Sequence, residues 1–324
     1  WWIITSRFLR NNAMGKQLLS FLKRYHLYVL AFALLLVFSI HSFESIGQDI
    51  GRHLKVGEII WQTKSVPKTN LFSFTEPDFY FVNHHWLSEV IFFKIFNFAG
   101  FTGLILVKVF LILASFLLLF FTVKNYAKLW SLVISFLFSI FVFIQRTEVS
   151  PEIFSFAIVA FFLFVLFKAK YQKNYLYLWF LPFLELFWVN LHIYFFIGPF
   201  LIFAFLVDRL ISKDYAHIKT IIAVLLLTFA ATLANPNGIQ GALLPFNILN
   251  EYGYSIIENQ TPSFLAGLFG FNLSIFIFKI SAAVLAASLI LNSKKIRHRF
   301  FETLISLFFI YAGFRMLRNL SLYA

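Results

Sequence analysis

The 324-residue chain contains no cysteine, so disulfides, thiolate nucleophiles and cysteine-based metal sites are excluded. Charged residues are also scarce: they make up 13% of the chain, against about a quarter in soluble domains. Hydrophobic residues account for 60% and aromatic residues for 21%, and the mean hydropathy is +0.83. Such a chain has too little polar surface to cover itself in water. The composition excludes a disordered protein and predicts a membrane protein.

Three common cofactor and nucleophile signatures are missing as well. The chain has no Walker loop, no Rossmann glycine pattern and no nucleophile elbow. ATP-driven and nicotinamide chemistry are therefore unsupported. The net charge of +13 resembles that of a nucleic-acid-binding domain, but its distribution along the chain gives it another meaning.

Nine apolar segments predict an all-α, polytopic membrane protein with about nine transmembrane helices. A span needs about 20 apolar residues, and the segments lack the period-2 alternation of membrane strands. The first segment is too long for a cleavable signal, and we expect it to stay as an anchor. The segments are 27–43, 102–122, 130–145, 152–168, 174–190, 193–207, 219–235, 271–292 and 300–318.

Basic residues predict the direction in which the chain crosses the membrane. The expected inside connections begin with a cytoplasmic tail, 1–26, and carry 17 of the 27 Lys and Arg residues. Their only acids are Asp208 and Asp214. The first outer loop, 44–86, holds five acids against four bases, and 236–270 has no Lys or Arg. The positive charge is therefore an orientation signal, and no nucleic-acid partner is expected.

Chemically capable side chains gather on the outer side of this topology. Ionisable groups at membrane depth usually line a cavity or a pathway, so the clustering predicts an outward-facing site at the interface. The group comprises Asp49, Arg52, His53, His84, His85, Glu89, Arg146, Glu148, Glu152, Asn190, His192, Asn235, Asn237, Glu251, Glu258, Arg315 and Arg318.

The first outer loop begins with a predicted amphipathic helix over 47–61. Its expected apolar face comprises Ile46, Ile50, Leu54 and Ile59 or Trp61. The residues largely off that face are Asp49, Arg52, His53 and Glu58. Asp49 and His53 are four positions apart and can meet on one helical face, although charges that merely face water are the favoured interpretation. The turn-rich stretch 65–75 predicts an ordered, extended cap over a cavity.

A second helix is predicted from His85 to about residue 97. His85 and Glu89 share a face of it, and both side chains are metal ligands. No third ligand has diagnostic spacing, so a hydrogen-bonded pair is favoured over a metal. We expect no cofactor, and a divalent metal stays an alternative that the spacing does not favour.

Two pairs of residues lie at the outer ends of predicted spans. Arg146 either binds a phosphate or neutralises Glu148 in a tight turn. Arg315 and Arg318 are three positions apart, so they either hold a phosphate together or extend to the lipid headgroups.

Two polar turns lie in the same outer group. Asn190 and His192 join two spans almost without a loop, either as a hydrogen-bonded helix break or as substrate contacts. Asn235 opens an Asn-Pro-Asn-Gly sequence, which is first of all a turn signal.

Taken together, these motifs resemble bacterial membrane proteins of the GT-C glycosyltransferase superfamily, whose members include protein O-mannosyltransferases and lipid A aminoarabinose transferases. The resemblance covers about 27–320, including the first outer loop and its helices at 44–101. Members often have more spans, so we expect a missing C-terminal part. The motifs are 49–58 (DIGRHLKVGE), 66–73 (VPKTNLFS), 85–89 (HWLSE), the Arg146/Glu148 turn, 188–192 (WVNLH) and 235–238 (NPNG).

The resemblance implies a GT-C-like fold in the bacterial inner membrane and an enzyme that moves a sugar, with inversion, from a polyprenyl phosphate to an extracytoplasmic glycan, lipid or protein acceptor. Asp49 matches the acidic general base of the first outer loop. Gln48 and Ile50 flank it, so the second adjacent acid of several relatives is missing, which argues against a paired-carboxylate metal site. The residues expected to bind substrate or phosphate are Arg52, His53, Glu58, His84, His85, Glu89, Arg146, Glu148, Asn190, His192, Asn235, Arg315 and Arg318.

Two other classes of function fit the same composition. A transporter or flippase for a lipid-linked or anionic substrate also needs polar residues at depth, but it places its site near the midplane and often shows internal repeats. A non-catalytic scaffold of envelope assembly would not require Asp49, Arg146 and the Arg315/Arg318 pair to converge.

Overall fold

Long apolar runs without alternation form helices throughout the described part of the chain. The computed structural model describes residues 26, 29–40, 49–76, 78–251 and 256–324. Within these ranges the only β-pairing is an isolated antiparallel bridge between Thr69 and Tyr80. The predicted all-α class is therefore confirmed. Most of the predicted tail, the loop start at 44–48 and the side chain of Glu251 lie outside the described residues.

The helices follow one another with short connections, the longest being 64–85. They are α1 (Val29–Ser39), α2 (Ile50–Thr63), α3 (Trp86–Val123), α4 (Leu129–Phe143), α5 (Glu152–Gln172), α6 (Phe180–Leu191), α7 (Ile197–Ile211), α8 (Ile218–Thr232), α9 (Gly238–Glu251), α10 (Pro262–Phe269), α11 (Leu273–Leu291), α12 (Phe300–Arg315) and α13 (Leu320–Tyr323). Short 3₁₀ helices occupy Ile144–Arg146, Leu176–Trp179, Ile193–Phe196, Ile257–Asn259, Ser293–Arg299 and Leu317–Asn319.

Each of the nine predicted apolar segments coincides with a helix, but the helices differ in length. Four in the described ranges are long and apolar enough to cross a membrane: Trp86–Val123, Glu152–Gln172, Ile193–Ile211 and Leu273–Leu291. Shorter apolar helices cover Val29–Ser39, Trp130–Phe143, Leu176–Leu191 and Ile218–Thr232. The protein is thus all-helical with several membrane-compatible helices, and the count of nine spans stays a prediction.

Helix α2 packs along the first turns of α3 rather than lying free at an interface. Its buried residues are Ile50, His53, Val56, Gly57 and Ile60, which share one helical face. The sequence placed His53 off the apolar face, and this prediction is wrong: His53 lies on the buried face and is only 3% exposed. The physical reason is close packing: Gly57 lies directly against the backbone carbonyl of Glu89, so the two helices touch without an intervening side chain.

Helix α3 is longer than the sequence predicted. Its helical hydrogen bonding continues past residue 97 to Val123, but Gly100 adopts φ 60° and ψ −156° and kinks it. Only glycine takes this backbone conformation readily, so the kink is encoded locally. It separates the turn that carries Glu89 from the long apolar segment that follows.

The centre of the bundle is built from α5, α6, α7 and α12. Phe162, Trp188, Phe205 and Phe301 are fully buried in one hydrophobic cluster. In a membrane such side chains stabilise the bundle through close packing rather than through removal from water. This core fixes the ends of the helices from which the polar residues project.

One end of the bundle carries a buried ionic network. Asp208 is fully buried and accepts hydrogen bonds from Lys170 (3.0 Å), from Arg209 and from the backbone N–H of Phe301 (3.0 Å). Lys170 also contacts Glu302 at 2.6 Å. The partners come from three different helices, so no single segment of the sequence indicates this network.

The predicted cap, 65–75, does not cover the polar cavity described below, because none of its residues lines that cavity. Tyr80 donates a hydrogen bond to Gln240 Oε1 at 2.9 Å, which attaches the connection 64–85 to α9.

Candidate functional site around a polar cavity

A polar cavity of about 470 Å³ lies where the N-terminal ends of α2, α3 and α5 meet the break between α6 and α7. The 3₁₀ helices Ile257–Asn259 and Leu317–Asn319 complete its wall. The structure brings together nine of the fourteen predicted site residues around this space, although they are far apart in sequence. These nine are Asp49, Arg52, His53, His84, His85, Arg146, Glu148, His192 and Arg318.

Asp49 stands at the mouth of the cavity, at the position before α2. Its side chain is 77% exposed and caps no backbone N–H group. Its one ion-pair partner among the described residues is Arg52, at 4.0 Å. The Asp49 carboxylate is therefore accessible to a molecule in the cavity. It does not meet the imidazole of His53, which turns towards α3.

A second carboxylate, Glu148, faces Asp49 from the turn between α4 and α5. Partial burial raises the pKa of Glu148 above its ordinary value. The carboxylates of Glu258, Glu152 and Asp49 act in the same direction, and Arg146 opposes them. The sequence lacks an acid next to Asp49 in the chain, and the fold places Glu148 in the wall of the same cavity.

Arg146 and Arg318 form a compact ionic cluster with Glu152 and Glu258. Arg146 contacts Glu152 Oε1 at 2.9 Å and Glu258 Oε1 at 2.8 Å. Of the two interpretations of Arg146, neutralisation of Glu148 gives way to ion pairs with Glu152 and Glu258, and phosphate binding stays a prediction. Burial opposes ionisation of Glu258, yet the two guanidiniums outweigh it and lower the pKa of its carboxyl.

Arg318 is the less satisfied of the two guanidiniums. Its contacts to Glu152 and Asn259 are both 3.4 Å, and it lies 3.8 Å from Glu258. Its Nε is buried and has no hydrogen-bond partner among the described residues. Arg318 is therefore held by longer contacts than Arg146, and its side chain is 28% exposed beside the cavity.

Three more residues line the inner wall as a buried histidine group. His53 Nδ1 lies 3.0 Å from Glu89 Oε1, directly behind the wall, and His85 Nε2 lies 3.4 Å from the same oxygen. The ring of His84 meets that of His85 edge-on at 4.2 Å. Burial lowers the pKa of His84 to about 3 and that of His85 well below its ordinary value, so both are neutral at pH 7.

His192 is held by a hydrogen-bond chain through Ser155. Trp188 Nε1 donates to Ser155 Oγ at 2.9 Å, and Ser155 Oγ lies 3.0 Å from His192 Nδ1. These contacts fix the orientation of the imidazole ring on the cavity wall.

Four predicted site residues lie away from the cavity and have other partners. Asn190 accepts from Trp86 Nε1 (2.7 Å) and donates to two backbone carbonyls, so it is the hydrogen-bonded brace of the helix break rather than a substrate contact. Asn235 closes its own turn by accepting the N–H of Asn237 at 2.9 Å. Glu58 pairs with Lys55 at 2.8 Å on the outer face of α2.

The fourth, Arg315, does not pair with Arg318. Helix α12 ends at Arg315, and Met316 is extended, with φ −147° and ψ 138°. The three-residue spacing therefore no longer places both side chains on one helical face. Arg315 is exposed outside the cavity, and only Arg318 lines it.

An apolar groove of about 560 Å³ lies beside the polar cavity. Phe196 lines both spaces, and the groove runs between α7, α8 and α9. Its wall is apolar except for Thr232, and Phe203 and Phe246 leave half or more of their surface exposed. An amphiphile with a charged head and a long apolar tail matches this pair of spaces.

Sequence reasoning left Glu152, Tyr194, Glu258 and Asn259 out of the site, although all four line the cavity. Glu152 and Glu258 do belong to the outer polar group, which is the signal that points to them. Tyr194 carries no such signal, because it lies within an apolar run and reaches Asn319 Oδ1 (2.9 Å) only through the fold.

The side chains that line the cavity determine which chemistry it can support. It combines accessible carboxylates, an incompletely paired guanidinium and neutral histidines beside an apolar groove. Comparison of the chain with protein-family models, curated proteins and solved structures finds no match.

Proposed function

We propose that the protein is a GT-C-type membrane glycosyltransferase of the bacterial inner membrane. It transfers a sugar from a polyprenyl phosphate to an acceptor hydroxyl on the extracytoplasmic side, with inversion. In this proposal the chain has about nine spans, its N-terminus is cytoplasmic and the polar cavity opens outwards. The observation that carries the proposal is that a charged cavity and an apolar groove lie side by side and share Phe196 in their walls.

The two spaces fit the two parts of the donor. A polyprenyl tail is apolar and flexible, and the groove between α7, α8 and α9 offers it aromatic and aliphatic side chains. The sugar phosphate is polar, and the adjoining cavity offers charged groups and N–H donors. The bilayer already keeps the tail from water, so the groove contributes packing contacts that orient the donor.

Asp49 is the proposed general base. The acceptor hydroxyl is a weak nucleophile, so a carboxylate must take its proton while it attacks the anomeric carbon. Asp49 is exposed to the cavity and only loosely paired, which leaves it free to do so. Glu148 faces the same space, and its raised pKa favours a role in hydrogen bonding the acceptor or donor sugar.

Arg318 and His192 are the proposed partners of the leaving phosphate. A single displacement forms the bond from the acceptor oxygen to the anomeric carbon and breaks the bond from that carbon to the phosphate oxygen. The bonding electrons and negative charge pass to the polyprenyl phosphate, and the hydroxyl proton passes to Asp49. Arg318 and His192 line the cavity, and the Arg318 guanidinium supplies positive charge where this negative charge grows.

Bound lipid and turnover test the proposal together. Protein purified in mild detergent is expected to carry a glycosylated polyprenyl phosphate, identified by mass spectrometry of extracted lipid. Asp49→Asn is expected to retain this lipid but to transfer its sugar at least about 100-fold more slowly, the lower range for a general base. Asp78→Asn, an exposed carboxylate outside the cavity, is the matched control and should behave as wild type. Two results contradict the proposal: wild-type protein that carries ordinary phospholipid and no glycosylated polyprenyl phosphate, or undiminished turnover in Asp49→Asn.

A further inference from the structure

We infer that His53, His85 and Glu89 form a binding site for one divalent transition metal ion of the zinc class. One donor atom from each of the three residues lies within 4.8 Å of the other two, and all three residues are buried. The sequence offers only the His85/Glu89 pair, because the third ligand comes from α2. The site is distinct from the sugar chemistry proposed above and does not depend on it.

The distances between the donor atoms match those of a metal site. In a tetrahedral zinc site with bonds of 2.0–2.1 Å, neighbouring donor atoms lie about 3.4 Å apart. Glu89 Oε1 lies 3.0 Å from His53 Nδ1 and 3.4 Å from His85 Nε2. Two histidines and one carboxylate are also a donor set that zinc uses in sites with an open fourth position.

An unpartnered ligand atom points to an ion. His85 is only 7% exposed, and its Nε2 is buried with no hydrogen-bond partner among the described residues. A buried polar atom without a partner costs about 1–3 kcal/mol. A metal ion bonded to this nitrogen removes that cost, since a neutral imidazole nitrogen is a ligand in its own right.

The surroundings hold the ligands in place. Asn83 Nδ2 donates to Glu89 Oε2 at 2.6 Å, and Asn83 Oδ1 accepts the backbone N–H of His85 at 3.1 Å. Such outer hydrogen bonds orient metal ligands and leave one carboxylate oxygen for the metal. Gly57 then sets the distance, because it lets α2 approach the backbone of Glu89 and brings His53 within reach.

Arg52 is the one nearby cation that competes for Glu89 among the described ion pairs. Its Nη1 lies 3.8 Å from Glu89 Oε1, beyond hydrogen-bond distance, and its side chain is 34% exposed. A metal ion therefore displaces no hydrogen bond from this arginine. His53 and His85 both line the polar cavity, so a bound ion presents its fourth coordination position towards that space.

Metal titration of the purified, chelator-treated full chain tests the site. Zn²⁺ is expected to bind at one equivalent per chain, and Co²⁺ is expected to give the visible absorption of a tetrahedral nitrogen–oxygen site. His53→Gln and His85→Gln should each weaken binding by more than about tenfold, since even loss of an outer partner costs about 10–100-fold. His192→Gln removes a buried, cavity-lining histidine outside the trio and should bind as wild type.

Two further variants keep the test decisive if a ligand variant unfolds. Arg52→Gln removes a competing positive charge at the protein surface and should tighten Zn²⁺ binding severalfold. Asn83→Ala removes the bond to the second oxygen of Glu89 and should weaken it. Three results would each overturn the inference. The wild type could bind less than one equivalent of Zn²⁺, His192→Gln could weaken binding as much as the ligand variants do, or both Arg52→Gln and Asn83→Ala could leave binding unchanged.

Discussion

Gly57 of helix α2 lies so close to the backbone carbonyl of Glu89 in α3 that no β-carbon fits between them. One turn earlier on the same face, His53 reaches the side chain of Glu89. The contact therefore links a helix–helix packing distance to the geometry of the histidine group. It also explains why α2 buries a histidine on the face that packs against α3.

Gly57→Ala is expected to force the two helices apart. Overpacking of this kind costs about 1–3 kcal/mol, which exceeds the roughly 1 kcal/mol that alanine gains over glycine within a helix. The midpoint of thermal unfolding in detergent should fall. Gly51→Ala is the matched control on the same helix, because a β-carbon there meets nothing within 4 Å. An equal or higher midpoint for Gly57→Ala than for Gly51→Ala contradicts the packing described above.

The sequence predicted the helices and the gathering of polar residues well, because both depend on local composition. Each apolar segment became a helix, and nine predicted site residues came to line one cavity. Their roles stay predictions, but their convergence follows from topology: residues that end successive helices at the same side of a bundle are brought together by the bundle itself.

What the sequence could not supply was the identity of partners from distant elements. Arg146 pairs with Glu152 and Glu258 rather than with its near neighbour Glu148. His53 is buried because α3 offers Glu89 opposite to it, which no periodicity within α2 reveals. Long-range pairing depends on how helices dock, and docking is set by close contacts that single-sequence patterns do not encode.

Arg318 and Arg315 form a matched pair for testing anion binding. Arg318→Gln removes the guanidinium whose Nε faces no partner on the cavity wall, whereas Arg315→Gln removes an exposed one outside it. A charged hydrogen bond to a phosphate contributes about 1.5–3 kcal/mol, so Arg318→Gln should bind a polyprenyl phosphate roughly 10–100-fold more weakly. Affinity is measured with a fluorescent short-chain polyprenyl phosphate. Equal losses in both variants would assign the effect to general surface charge.

Asp208 is expected to be structural, since its network lies apart from the residues that line the polar cavity. Asp208→Asn removes the buried carboxylate that pairs with Lys170 and Arg209. Because breaking a buried ion pair leaves a charge without its partner, the variant should destabilise the protein by about 3–5 kcal/mol. Asp214→Asn serves as the control, because Asp214 is 25% exposed and its loss should cost about 1 kcal/mol or less. Unfolding midpoints of the two variants measure the difference. Similar midpoints would show that the buried pair contributes no more than the surface pair.

His192 is expected to make the fold sensitive to acid. Burial lowers its pKa well below the ordinary value, and Arg318, His84, Arg146 and His53 around it act in the same direction. His192 therefore stays neutral in the folded state, whereas in the unfolded state it is protonated below about pH 6.5. The free energy of unfolding must fall as the pH drops through this range. Between pH 6.5 and pH 5 the loss is up to about 2 kcal/mol for one such histidine.

His192→Gln keeps an acceptor for Ser155 and should flatten the dependence of the unfolding midpoint on pH. His298→Gln, on an exposed turn, should leave it unchanged. If His192→Gln shows the same slope as wild type, the acid sensitivity belongs to other groups and His192 is not held neutral by its surroundings.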